Sequence, residues 1–154
     1  MNPKNEIKGH DFFLALSSGI VNVISKYEYL NSINVFPVPD GDTGTNLMFT
    51  LRPIIQINDE QIDDNIEKTL LMISDMVLST ARGNSGTIMA QYFIGLAEGV
   101  KDEQSLNVEN LSLILKSGFQ AAESSMTEPK EGTIISVMRD ISNISFPDGD
   151  MNSL

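Results

Sequence analysis

The sequence of 154 residues has no cysteine and no tryptophan, a single histidine, and ten lysines and arginines against 21 aspartates and glutamates. Without cysteine there is no disulfide framework and no Cys-ligated zinc or iron-sulfur site, which agrees with a reducing compartment and points to the cytoplasm. The net charge of -11 comes without any cluster of basic residues. That argues against nucleic acid and anionic lipid as partners, because phosphate backbones are bound by grouped Lys and Arg. An acidic chain that handles phosphate needs added cations. No apolar run reaches the roughly 18 residues of a membrane span, and the polar stretch 1–11 lacks the apolar segment of a signal peptide. The length suits one soluble domain with a sizeable core.

What is present is helical periodicity. Phe12, Phe13, Leu16, Ile20, Val23, Ile24 and Tyr27 recur at steps of three and four and predict a first helix. A short helix is expected from Thr45 or Asn46, either of which can cap it, through Leu51, where Pro53 interrupts. Ile62, Ile66, Leu70, Ile73 and Val77 predict a third helix over 59–80, and the set from Ile88 to Leu96 a fourth that closes at Gly99. After a polar linker at 101–107, Val108 to Met126 reads as the fifth, ending before Pro129. The sixth opens at Glu131-Gly132-Thr133 and continues to Ile144, and a turn-rich stretch follows at 146–150. No alternating run is long enough for a sheet, so the expectation is an all-α bundle. The eight methionines fall largely on helical faces and read as core filler. His10, far in sequence from every loop of interest, reads as a surface or capping residue.

Three loops carry unusual chemistry. In 36–46, Asp40 and Asp42 stand two positions apart and can converge on a hard cation, Mg2+ above all, while Gly41 and Gly44 free the backbone. The N–H groups of Gly44, Thr45 and Asn46, at a helix start, would favour a phosphate oxygen. An Asp-Gly turn alone would be ordinary turn chemistry. An EF-hand starting at Asp40 fails, since Gly44 and Leu51 stand where ligands are needed. An aspartyl phosphatase is disfavoured because Pro37 and Pro39 precede the aspartates where a buried strand is required. The second loop, Arg82-Gly83-Asn84-Ser85-Gly86, could wrap phosphate through main-chain amides and the Ser85 hydroxyl. It lacks the lysine of a Walker A loop and by itself resembles a helix stop followed by a helix start. The third, Lys130-Glu131-Gly132-Thr133, offers a hydroxyl and amides at a helix start, and alone is a plain cap.

The motifs Asn34-Val-Phe-Pro-Val-Pro-Asp-Gly-Asp-Thr-Gly-Thr-Asn46, Ala81-Arg-Gly-Asn-Ser-Gly86 and Glu131-Gly-Thr133, in that order, resemble the N-terminal kinase domain of bacterial fatty-acid kinases. More distantly they resemble the nucleotide-binding subunit of dihydroxyacetone kinases. The likeness covers about residues 8–145. It implies an antiparallel eight-helix barrel that holds ATP or ADP and two Mg2+ ions at one end. Asp40 and Asp42 would match metal ligands and carry the catalysis, with Asn34 the loose counterpart of a third ligand. Thr43, Thr45, Asn46, Ser85, Gly86 and Thr133 would fall on nucleotide-contacting positions, beside Gly44, Gly83 and Asn84 from the loops themselves. In the fatty-acid kinases a separate DegV-like binding protein presents the acyl carboxylate that is phosphorylated.

The resemblance therefore implies a Mg-ATP-dependent kinase domain acting on a fatty-acid carboxylate. The alternatives are a dihydroxyacetone-type substrate or a non-catalytic nucleotide-binding module, and a homodimer is compatible with either. The family domain continues with two further helices and a Gly-rich aspartate motif that this sequence lacks. Residues 1–154 are accordingly expected to be a single, C-terminally truncated domain holding about six of the eight helices, with weakened nucleotide binding.

Overall fold

The computed structural model describes residues 6–144. Its helices are α1 (Gly9–Ser25), α2 (Tyr27–Ser32), α3 (Thr43–Leu51), α4 (Ile66–Thr80), α5 (Gly83–Gly99), α6 (Val108–Ser124) and α7 (Ile134–Ser142), with 3-10 turns at Ile54–Gln56 and Asp59–Gln61. Extended pairing among the described residues is confined to one antiparallel bridge, in which Ile7 and Leu106 exchange N–H···O bonds of 2.8 Å. The fold is all-α, as the periodicity implied.

Several boundaries differ from the expected ones. The first helix breaks at Lys26 (φ -109°, ψ 11°), whose N–H turns back to the Val23 carbonyl, and the chain restarts as α2. Six helices were expected, and this break supplies the seventh. The helix expected over 59–80 begins only at Ile66. Ahead of it, Asn58 and Gln61 cap each other across a 3-10 turn, the Asp63 carboxylate accepts from the Asn65 N–H at 2.8 Å, and Asn65 accepts from the Lys68 N–H at 3.0 Å. Short polar side chains that satisfy nearby backbone groups compete with helix continuation, and here they win. The fifth expected helix stops at Ser124, before Met126, and the sixth begins at Ile134, after Glu131. The turn expected at 146–150 lies outside the described residues.

The main core joins Phe13 and Ile20 of α1, Leu51 of α3, Ile66, Leu70, Ile73 and Val77 of α4, Phe93 and Leu96 of α5 and Ile114 of α6. Removing these side chains from water is the dominant favourable term for a bundle of this kind. Of the methionines, Met138 is buried and Met72, Met76, Met89 and Met126 pack partly buried against the core clusters. Helices α5 and α6 run antiparallel at close range: a Cβ on Gly95 would lie 2.5 Å from the Ser117 carbonyl oxygen and 2.6 Å from the Ala121 Cβ. A second, smaller cluster seats α7, with Ala122, Ile135 and Met138 buried against Ile88, Met89 and Phe119. Because Ile88 and Met89 belong to the second turn of α5, the start of α7 is anchored near the α5 N-terminus. No helix of the described residues is long and apolar enough to cross a membrane.

Candidate functional site

The first loop is closed by side chains from outside the helix it leads into. Helix α3 begins at Thr43, earlier than the Thr45 or Asn46 start expected, with Asp42 at the N-cap position in the αR region (φ -119°, ψ -2°) and no side-chain cap bond of its own. Its first amides are served from elsewhere. The Asn34 Oδ1 accepts from the Asp42 N–H at 3.1 Å, the Thr43 N–H at 3.1 Å and the Thr43 hydroxyl at 2.9 Å, while the Asn34 amide N–H2 donates to the Val38 carbonyl at 3.0 Å. Asn31 of α2 accepts from the Thr45 N–H at 3.0 Å and donates to the Thr45 hydroxyl at 2.8 Å.

This arrangement leaves two things free. Asp40 and Asp42 are exposed, and neither carboxylate has a hydrogen bond or ion pair among the described residues. Of the three amides expected to face phosphate, the Thr45 N–H is held by Asn31 and the Asn46 N–H by the Asp42 carbonyl at 2.8 Å, so only that of Gly44 stays unbonded among the described residues. The anion-binding capacity of α3 is thus narrower than its sequence suggested.

The second loop supplies what the first lacks. Arg82, at the N-cap of α5, has extended backbone and makes no side-chain cap bond. Its own N–H donates to Thr50 Oγ1 at 3.1 Å, and the Gly86 N–H returns to the Arg82 carbonyl at 3.0 Å. Between them the N–H groups of Gly83, Asn84 and Ser85 have no partner among the described residues. Successive unpartnered amides at a helix start form a ready anion site.

The two loops are bolted together. Gly83 has φ +58°, and a Cβ there would collide with the Asn46 carboxamide; a Cβ on Gly86 would collide with the buried Thr50 hydroxyl. The buried Ser85 donates its hydroxyl to the Thr43 carbonyl at 3.4 Å, and Thr80 donates to the Thr50 carbonyl at 3.0 Å. The Arg82 guanidinium lies 4.6 Å from the centroid of the Phe49 ring. Thr43, Asn46, Ser85, Gly83 and Gly86 are therefore one packed junction of α3 with α5. Asn31, Thr50 and Phe49 were not singled out by sequence, for they lie outside the motifs and gain their roles only through the α2–α3 and α3–α5 contacts.

Thr133 is the N-cap of α7, but its hydroxyl donates backwards to the Lys130 carbonyl at 2.8 Å and does not cap the helix. Ser136, inside the helix, ties down the residues ahead of it, accepting from the Gly132 N–H at 2.9 Å and donating to Glu131 at 2.8 Å. Arg139 also donates to Glu131, and these two donors hold the Glu131 carboxyl below its ordinary range. No hydrogen bond among the described residues joins Thr133 to the other two loops. His10 is placed at the start of α1, 3.2 Å from the Asp59 carboxylate, in keeping with a surface role.

Residues 37–145 match the DAK2 domain family, a span that takes in all three motifs apart from Asn34, Val35 and Phe36. The chain belongs to the DAK2 domain family. This is a nucleotide-binding family of dihydroxyacetone-kinase type, which binds ADP or ATP. Similar chains include an uncharacterized protein of Staphylococcus epidermidis, 32% identical over 136 residues, and ones of Staphylococcus haemolyticus and Staphylococcus aureus, each 33% identical over 140 residues. The alignments cover 88% of this chain and 25% of each relative, so the chain spans about a quarter of their length.

The three unpartnered amides of the junction fit the polyphosphate of the ADP or ATP that the family binds. Among the described residues no three His, Cys, Asp or Glu side chains converge on a possible ion. Two free carboxylates without a third are suited to Mg2+, which keeps several waters and takes further oxygens from phosphate, and unsuited to an all-protein calcium cage.

Proposed function

We propose that this DAK2 domain binds Mg-ATP at the α3–α5 junction and serves γ-phosphoryl transfer to a fatty-acid carboxylate presented by a DegV-like carrier protein, in the cytoplasm. The observation that carries the proposal is the packed α3–α5 junction, which presents three unpartnered amides, Gly83 to Ser85, and whose α3 side follows directly on the loop of two unengaged carboxylates, Asp40 and Asp42.

Asp40 and Asp42 would hold Mg2+, which when bound supplies positive charge to neutralise the polyphosphate. The Gly83, Asn84 and Ser85 N–H groups would donate to a phosphate oxygen, helped by the positive end of the α5 dipole. Asn84, exposed beside them, adds an uncommitted carboxamide. The chain's contribution to transfer is positioning and charge: the acceptor oxygen forms the new P–O bond as the bond to the ADP leaving group breaks, and no protein nucleophile is needed. The division of labour suits an acidic chain, whose net charge of -11 would otherwise repel the nucleotide.

Titration calorimetry with Mg-ADP tests the binding. Asp40→Ala and Asp42→Ala should each abolish Mg-dependent binding with the helical circular dichroism unchanged, and retained affinity in both variants would refute the site. Labelled ATP with a fatty acid and a DegV-like protein tests the transfer. Acyl phosphate formation supports the kinase reading, while transfer to dihydroxyacetone in its place would reassign the substrate.

A further inference from the structure

We propose that Asn34 is a positioning residue that caps α3 in place of Asp42 and so keeps the Asp42 carboxylate available to a cation; this rests on the Mg-nucleotide reading of the junction. An aspartate at an N-cap ordinarily turns its carboxylate onto the N–H groups of the following turn, in extended backbone conformation. Asp42 has that place and residue type, yet its backbone is in the αR region and its side chain makes no cap bond. The Asn34 Oδ1 collects the N–H groups of Asp42 and Thr43 and the hydroxyl of Thr43, and the Asn31 Oδ1 collects the N–H of Thr45. Both carboxylate oxygens of Asp42 are spared.

The orientation of the Asn34 carboxamide is fixed by its neighbours. The two backbone groups facing it are N–H donors and must meet the oxygen, while the Val38 carbonyl at 3.0 Å must meet the N–H2. A carbonyl oxygen has two lone pairs, and three donors already converge on this one. Asn34 therefore has no acceptor capacity left for a metal, and ligation would require it to abandon the helix start it holds. By bonding both Val38 and Asp42–Thr43, it also ties the stretch that carries Asp40 into a closed loop.

Backbone amide exchange, followed by NMR on the whole chain, tests this with and without Mg2+ and ADP. In metal-free Asn34→Ala, the Asp42 and Thr43 amides should exchange about tenfold faster, as expected for loss of a cap, with the α4 amides unchanged. In the wild type their protection should persist when Mg2+ and ADP are added. Unchanged exchange in metal-free Asn34→Ala, or loss of Asp42 and Thr43 protection in the wild type on adding Mg2+ and ADP, would overturn the proposal; the second result would mark Asn34 as a ligand. If the wild type binds no Mg-ADP, the nucleotide reading fails, and the metal-free arm still decides whether Asn34 holds the helix start.

Discussion

Gly83 shows how much of the junction depends on one missing side chain. Its φ of +58° lies in the left-handed region, and the space a Cβ would take is filled by the Asn46 carboxamide. An alanine there incurs a conformational cost of about 1 kcal/mol and pushes Asn46 out of place, so Gly83→Ala should destabilise the chain by roughly 1–3 kcal/mol in urea unfolding. It should also weaken Mg-ADP binding, because the displaced residue sits between the two loops. Gly44 belongs to the same logic on the other side of α3: a Cβ there would collide with the Tyr27 carbonyl, backbone that cannot swing away. Gly44→Ala should therefore separate α3 from α2 and cost at least as much as Gly83→Ala, and a midpoint equal to that of the wild type would show that the two helices are not in the described contact.

At the scale of the element, the start of α7 carries a cluster of charged and polar groups at the surface beside its apolar seat. Glu131 accepts from Arg139 and Ser136, and this lowers its folded-state pKa below the ordinary glutamate value. A depressed carboxyl contributes stability that is present above the unfolded-state pKa and is lost as pH falls through the folded one. The α7 start should accordingly loosen on acidification from the ordinary glutamate range downward, seen as earlier exchange of the Ser136 amide, and Glu131→Gln should remove most of that pH dependence. The effect is confined to the helix start, since Glu131 is exposed to solvent and screened. The same element shows what sequence could and could not reveal. The spacing of Ile134, Met138 and Ile141 reports a helix because periodicity is a property of the local chain. The start of α4 was hidden, although Asn58 and Asn65 carry ordinary cap chemistry, because Ile62 and Ile66 kept the apolar period running through them. Asp40 and Asp42 stood out in the sequence as candidates through their spacing and their glycines, and their exposure without partners is what the structure adds. The outside capping by Asn31 and Asn34 was not legible in the sequence, since it is made across eight to fourteen residues by groups with no periodic signature.

For the whole molecule, the junction sits between elements that share one core. α3 contributes Leu51 and α5 contributes Phe93 and Leu96 to the same apolar cluster as α1 and α4. A ligand that draws the Asp40–Asp42 loop toward the Gly83–Ser85 amides therefore acts on the folded state as a unit, and its binding free energy adds to global stability by linkage. At a concentration about one hundred times its dissociation constant, Mg-ADP should add roughly 2.7 kcal/mol. For a chain of this length that corresponds to a rise in melting temperature of about 5–10 °C. ADP with a chelator should give no comparable rise, because without the cation the nucleotide meets two uncompensated carboxylates on a chain of net charge -11. Mg2+ alone should give a small shift, as two carboxylates without phosphate oxygens form an incomplete site. Equal shifts with ADP in Mg2+ and in chelator would place the nucleotide away from Asp40 and Asp42. A shift of full size from Mg2+ alone would mean that the carboxylates hold the ion without help from the α5 amides.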